Sequence, residues 1–414
     1  MLRFLLAVLA AQCLFAAPPT HKLVVISIGG LDARFLNEPV LKVKAPNIRK
    51  LMKEGASATV VGVAPSTSWP SQASLVTGVS PWQNGITVPD LPAKPGDRFF
   101  SSSAIRTETL WDAASAAGLK TASVYWPSTA GARIAFDLPV YWETRRNNAV
   151  PMEGVIGKAT PPGIADRVTK MFPAFQKELW DDTSSTDAAV YLLSTEQPDV
   201  LFVHFADIEA EQHDTTALSI YAREILENDD DLIGQILKSV PQGTVVALVS
   251  GHGFENSNRV VRPRVLLREA GVKGNLEIAD GLIGTTNPAV AAALRKISEQ
   301  GAKSGIAREV KMTEVKARVP ALGRWVAAFD TVPNSVASNE DRGAGVGSGP
   351  HAGTDGLWPT RPNYRSILIL NGPSVKPVKL GEIDLLQIAP TLAEILGVKL
   401  PAAKSQSLWK AVSR

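Results

Sequence analysis

Apolar residues along the chain fall into short β-branched runs separated by segments of helical period. The first run, "VVISIGG" (24–30), places Val24, Val25, Ile26 and Ile28 ahead of a glycine pair. A continuous apolar run of this length, closed by a turn, predicts a strand buried on both faces. "PNIRKLMKEGASATVV" (46–61) then has Pro46 at a helix start, Ile48, Leu51 and Met52 at helical spacing, and Gly55 at the stop. "TLWDAASAAGLKTASVYWP" (109–127) repeats the pattern, with Gly118 ending a helix before a strand over 121–125. Further strands are predicted in "PDVLFVHFADIE" (198–209), "GTVVALVSGHG" (243–253) and "NYRSILILNGP" (363–373), and a helix in "LLQIAPTLAEILG" (385–397). Strands alternating with helices of this length imply an α/β fold: a mainly parallel central sheet with helices on both faces. Residues 128–197 read as loop and helix. Residues 262–345 carry short charged elements and read as an inserted cap.

Composition narrows the function classes. The chain has 414 residues, 20% of them charged, with a formal net charge of +3. Lys and Arg are scattered without a basic block, so no nucleic-acid partner is implied. Met1 to Arg3 is a short basic start, Phe4–Phe15 is apolar apart from Gln12, and Ala16-Ala17-Pro18 offers a cleavage point. This is the pattern of a secretory signal peptide over residues 1–17, too short to span a bilayer, so export to a secreted or periplasmic location is expected without stable membrane insertion. The only cysteine, Cys13, lies inside it, which leaves the mature chain (18–414) without disulfide or thiolate chemistry. Oligomeric state has no readable signal.

The predicted strand ends carry the candidate chemistry. "APSTSWPSQASLVTG" (64–78) puts Ser68 at the start of a helix, where backbone N–H groups favour an anion and a hydroxyl can attack phosphorus. The same residue type is a preferred helix N-cap, a purely structural role. Glu209 and His213 are four apart and share a face if helical, as a metal pair or as a surface pair. His252 stands between two glycines after a strand, and His351 sits in a similar glycine-rich loop, "GPHAGTDG" (349–356). Three histidines so placed, among five in the chain, favour a metal site.

The order of these pieces resembles the type I phosphodiesterase/nucleotide pyrophosphatase branch of the alkaline phosphatase superfamily. P-x-x-S-x-P, E-x-x-x-H, S-x-H-G and a late G-x-H follow one another, and "SLVTGVSPWQNGI" (74–86) and "IAPTLAEILGVKLP" (388–401) add support. The resemblance covers roughly 22–410. It implies an alkaline phosphatase-like α/β sandwich with two metal ions, typically zinc, bridging a transferred phosphoryl group of a small phosphate ester. It assigns Glu209, His213 and His351 to one ion, and Ser68, as nucleophile, with His252 to the other. Two carboxylates of the second set are absent, because Gly29 and Gly251 stand at their positions. Gln72 and Asn84 also occupy positions where histidine is common. Asp32 and Asp207 lie nearby but off the matching positions.

A dication left with one imidazole and one hydroxyl lacks the anionic ligands that offset its dehydration. One zinc ion is therefore expected at Glu209, His213 and His351, and Gly29→Asp with Gly251→Asp is expected to rebuild the second site. Three readings remain: a one-metal phosphodiesterase-like hydrolase, a binding-only protein for a phosphate- or sulfate-bearing ligand, and a structural envelope protein.

Overall fold

The computed structural model describes residues 22–87, 98–141, 157–176 and 181–414. The proposed signal peptide and Cys13 lie outside them. Strand β1 (Leu23–Ile28) sits in the middle of an eight-stranded sheet, because both its faces are apolar. Val24, Ile26 and Ile28 enter one core layer, while Leu23 and Val25 enter the other. The remaining strands are β2 (Ala56–Val61), β3 (Thr121–Val124), β4 (Phe136–Leu138), β5 (Val200–Phe205), β6 (Val245–Val249), β7 (Ser366–Asn371) and β8 (Val378–Asp384). Their order is β8-β2-β7-β6-β1-β5-β3-β4. Every pairing is parallel except those of β7, which runs antiparallel to β2 and β6.

The helices follow the predicted signals. Helix α1 (Pro46–Glu54) starts on Pro46 and buries Ile48 and Leu51. Helix α2 (Ser68–Thr77) is buried along nearly its whole length, and α3 (Leu110–Ala116) is closed by a Thr109–Asp112 capping box. One face of the sheet is covered by α1, α4 (Asp182–Tyr191) and α6 (Ile220–Ser239), the other by α2, α3 and α7 (Ile388–Leu396). Helix α5 (Asp207–Asp214) is short and lies directly after β5. Gly397 ends α7 at φ 71°, a conformation that favours glycine.

Residues 277–331 build a separate four-stranded antiparallel sheet with its own apolar cluster around Ile283, Leu294 and Phe329. This sheet falls within the stretch read as a cap. No helix among the described residues is long and apolar enough to cross a membrane.

The parallel arrangement fixes where chemistry can occur. The C-terminal ends of β1, β2, β5 and β6 share one edge of the sheet, where ligands bind in open α/β folds. Strand β7 is reversed, so the loop 350–365 that precedes it reaches that same edge.

Candidate metal and phosphoryl site

At the end of β1, Gly29 N–H donates to Phe205 O at 2.8 Å, continuing the β1–β5 ladder past its last residue. Gly30 follows at φ 65°, and its carbonyl accepts from Gln212 Nε2 at 2.9 Å. A side chain on Gly29 would collide with the Glu209 carboxylate, whose Oε2 already occupies that volume. The space is filled from across the cleft.

Ser68 is the first residue of α2, and Thr67 takes the N-cap position without a side-chain capping bond. The Ser68 hydroxyl instead donates to Glu209 Oε2 at 3.0 Å. Ser68 is therefore not the N-cap of α2.

Glu209 and His213 occupy successive turns of α5. Glu209 Oε1 faces His252 Nε2 at 3.4 Å, and Asp355 Oδ2 lies 3.8 Å from the same nitrogen. Ligand atoms of Glu209, His252 and Asp355 all lie within 4.8 Å of one another. His213 is 42% exposed, stands 3.9 Å from Asp355 Oδ1, and packs edge-on against Phe254.

His252 is almost fully buried. Its Nδ1 lies 3.1 Å from Gly253 O, which fixes the tautomer and turns Nε2 into the cluster, where it makes no hydrogen bond. Burial alone would lower the His252 pKa. The Glu209 carboxylate beside it, together with Asp355, raises it to about 9. Burial would likewise raise Glu209, but His252, with His204 and His213 further off, holds it down to about 2. With no cation bound, Glu209 and His252 form an ion pair. His204, on the last turn of β5 toward the same edge, is held down to about 4 by burial.

His351 is not brought into this cluster. Its backbone is left-handed (φ 60°), its side chain is exposed, and Nε2 lies 2.8 Å from Ser348 Oγ. This differs from the arrangement the resemblance implies. The loop directs Asp355, four residues later, inward instead. Asp355 lay in the same "GPHAGTDG" stretch, and its signal was a carboxylate in a glycine-rich loop at a strand edge. His204 was also legible as a polar residue inside an apolar strand.

The other positions have local explanations. Asp32 is fully buried and its carboxylate is engaged by Arg34 Nε at 2.8 Å and by the Phe254 N–H at 3.1 Å. Asp207 accepts from Asp182 N–H at 3.1 Å. Gln72 Nε2 donates to Ser27 Oγ at 2.6 Å, and Asn84 bonds Ser74 Oγ and Ile86 N–H. A side chain on Gly251 would overlap the Ser71 Cβ of α2. Neither Gly29 nor Gly251 has a positive φ, so crowding and not backbone strain keeps them small.

The sequence model of the type I phosphodiesterase/nucleotide pyrophosphatase family matches residues 23–342. The chain belongs to that family. Its fold is alkaline phosphatase-like. Murine ectonucleotide pyrophosphatase/phosphodiesterase 5, solved as an inactive variant in complex with AMP, superposes with a TM-score of 0.62 at 16% identity. The match covers 95% of this chain and 100% of that one. The human protein of the same name gives 0.62 at 15% identity, covering 94% and 99%. At these identities the likeness establishes the fold. No curated protein sequence matches this chain significantly.

Proposed function

We propose that the protein is an exported, metal-dependent phosphodiesterase- or pyrophosphatase-like hydrolase of small phosphate esters, working with one zinc-type ion and a degraded second metal site. The observation that carries this reading is the Ser68 hydroxyl, at the first turn of a ten-residue helix, bonded to Glu209 beside the Glu209–His252–Asp355 cluster. The Ser68 and Trp69 N–H groups at that helix start, ahead of Pro70, which has none, suit the oxygens of a phosphoryl group, for which Ser68 Oγ would serve as nucleophile. The Ser68 proton points at Glu209 Oε2. A bound dication would supply Lewis-acid stabilisation of the charge that develops on the phosphoryl oxygens.

The residues fit one ion. Two carboxylates offset the charge of a dication, and His252 offers an unshared Nε2 while Nδ1 is held by a backbone carbonyl, as metal-bound histidines usually are. They do not fit two. The volumes that aspartates at 29 and 251 would need are taken by Glu209 and Ser71. The family set of Glu209, His213 and His351 would require His351 to leave Ser348 and turn inward. The AMP bound to the murine neighbour supports a nucleotide-like phosphate ester as the substrate class, and export rests on the Met1–Ala17 pattern.

A second reading, binding without turnover, is favoured by the same filled volumes. Hydrolysis of bis(p-nitrophenyl) phosphate by the purified mature protein, with zinc and with chelator, separates the two. Zinc-dependent turnover that disappears in Ser68→Ala supports the hydrolase. AMP binding with no turnover supports the binding protein.

A further inference from the structure

We infer that the cation position itself has shifted: a single zinc-type ion is held between Glu209, His252 and Asp355, by a glutamate that has grown into the space left by the absent side chain of residue 29. This inference rests on the metal-dependent reading above and specifies its ligands.

The first observation is the fit between positions 29 and 209. Glu209 extends one methylene further than an aspartate would, and that extension carries its carboxylate into the volume of a residue-29 side chain. An acidic residue on α5 thus fills the place where the resemblance implies a carboxylate on β1.

The second observation is His252. It is 1% exposed, and its Nε2 faces two carboxylates without a well-formed hydrogen bond to either, paired with them only ionically when no cation is bound. The separations of 3.4 and 3.8 Å exceed the usual hydrogen-bond range. The 3.4 Å separation is near the spacing of roughly 3.3 Å expected between ligands that each lie ~2.0–2.1 Å from a common tetrahedral ion, and the Asp355 carboxylate, within 4.8 Å of the other ligand atoms, would draw in on binding. Two carboxylates and one neutral imidazole carry two negative charges, which balance a dication. Mixed nitrogen and oxygen donors suit zinc.

The geometry also divides Glu209 between two tasks. Oε1 faces His252 and the ion position, while Oε2 accepts the Ser68 hydroxyl. The ion and the serine are therefore linked through one carboxylate, with Ser68 outside the ligand set. His213 stands 3.9 Å from the other oxygen of Asp355, beyond hydrogen-bond range.

The test is zinc binding, read by calorimetry and metal content on the full mature chain, with melting curves in chelator to check folding of each variant. The wild type is expected to bind one ion. Asp355→Asn and His252→Ala should each weaken binding by about tenfold or more, and His351→Ala should leave it within about threefold. Cobalt(II) substituted into the unaltered protein provides a readout independent of any variant, and a tetrahedral visible spectrum is expected. Two tight ions, no zinc binding, or a loss in His351→Ala matching that in Asp355→Asn would each overturn the inference. One ion bound at these residues without phosphodiester turnover supports the site while removing the hydrolase reading.

Discussion

The Glu209 carboxylate occupies the volume that a side chain on Gly29 would fill. The two positions are therefore coupled, and restoring an aspartate at 29 alone forces two carboxylates into one place. Gly29→Asp is expected to lower stability by about 1–3 kcal/mol through overpacking and like charge. Gly29→Asp with Glu209→Asp should recover at least about 1 kcal/mol of that loss, because the shorter residue at 209 vacates the space. Urea unfolding of the four members of the cycle measures the coupling. Additive losses would show that the two sites are independent.

Position 251 gives a parallel expectation with a stiffer neighbour. An added Cβ there meets Ser71 Cβ on α2, a buried helix that cannot retreat easily. Gly29→Asp with Gly251→Asp is accordingly expected to destabilise the protein without creating a second tight metal site. Melting temperature and zinc stoichiometry check this together. The resemblance alone implies the opposite outcome, since glycine at 29 and 251 is visible in the sequence but Glu209 and Ser71 beside them are not.

His204 contributes a sensitivity to mild acid. Its Nδ1 has no partner, and burial holds its pKa to about 4, below the ordinary value of about 6.5 for an exposed histidine. The unfolded chain then binds a proton that the folded chain refuses. The His204 contribution to stability is full above about pH 6.5 and falls as pH drops toward 4, by on the order of 3 kcal/mol in all. Between pH 6.5 and 5 this contribution is opposed by His252, whose raised pKa of about 9 favours folding as pH falls, and by the carboxyls of buried Asp229 and half-buried Asp280, whose raised pKa values act in the same direction. The shift in urea midpoint from pH 7 to pH 5, measured in chelator, should be more favourable to folding in His204→Gln than in the wild type.

Strand and helix positions were legible because glycine and proline punctuate the chain where the periodicity changes, as at Pro46, Gly55 and Gly397. The meeting of Ser68, Glu209 and His252 was also readable, since residues just beyond parallel strands share one edge. What could not be read was the direction of individual side chains. The left-handed backbone at His351 turns its ring toward Ser348 and lets Asp355 enter in its place. A glutamate at 209 reads in sequence as a mild change from aspartate. Its meaning depends on Gly29, 180 residues away in the chain and adjacent in space.

A buried carboxyl cluster beneath α5 offers a stabilising change. Asp229 on α6 is fully buried with neither oxygen hydrogen-bonded to a donor, and it faces Asp182 and Asp207. Burial, then the negative charge of Asp207, pushes its pKa well above the usual carboxylate range. Stability from this group is present below about pH 4 and is lost as pH rises through the raised folded value. Asp229→Asn removes the charge at nearly constant shape. It should be more stable than the wild type by about 1 kcal/mol or more at pH 8, with the advantage shrinking at pH 5. Equal gains at both values would separate the effect from ionisation.

Arg361 ties the separate sheet to the edge that carries the site. The guanidinium is 1% exposed, pairs with Glu255 at 2.9 Å and Asp330 at 3.6 Å, and donates to the carbonyls of Thr331 and Val332. Asp330 and Thr331 belong to the strand Ala327–Thr331, while Arg361 lies in the loop that also delivers Asp355. Truncating one partner of a buried pair leaves the others charged and unpaired, so Arg361→Met should cost about 3–5 kcal/mol. The loss should appear first as loosening of that sheet, because the eight-stranded core does not depend on these contacts. Limited proteolysis of the variant is expected to cut within 277–337 while β1, β5 and β6 keep their hydrogen-exchange protection. Zinc affinity should fall with it, since the loop bearing Asp355 loses an anchor six residues away. A variant that loses stability uniformly, with exchange accelerated equally in both sheets, would show that Arg361 serves the whole fold and does not specifically join the two parts.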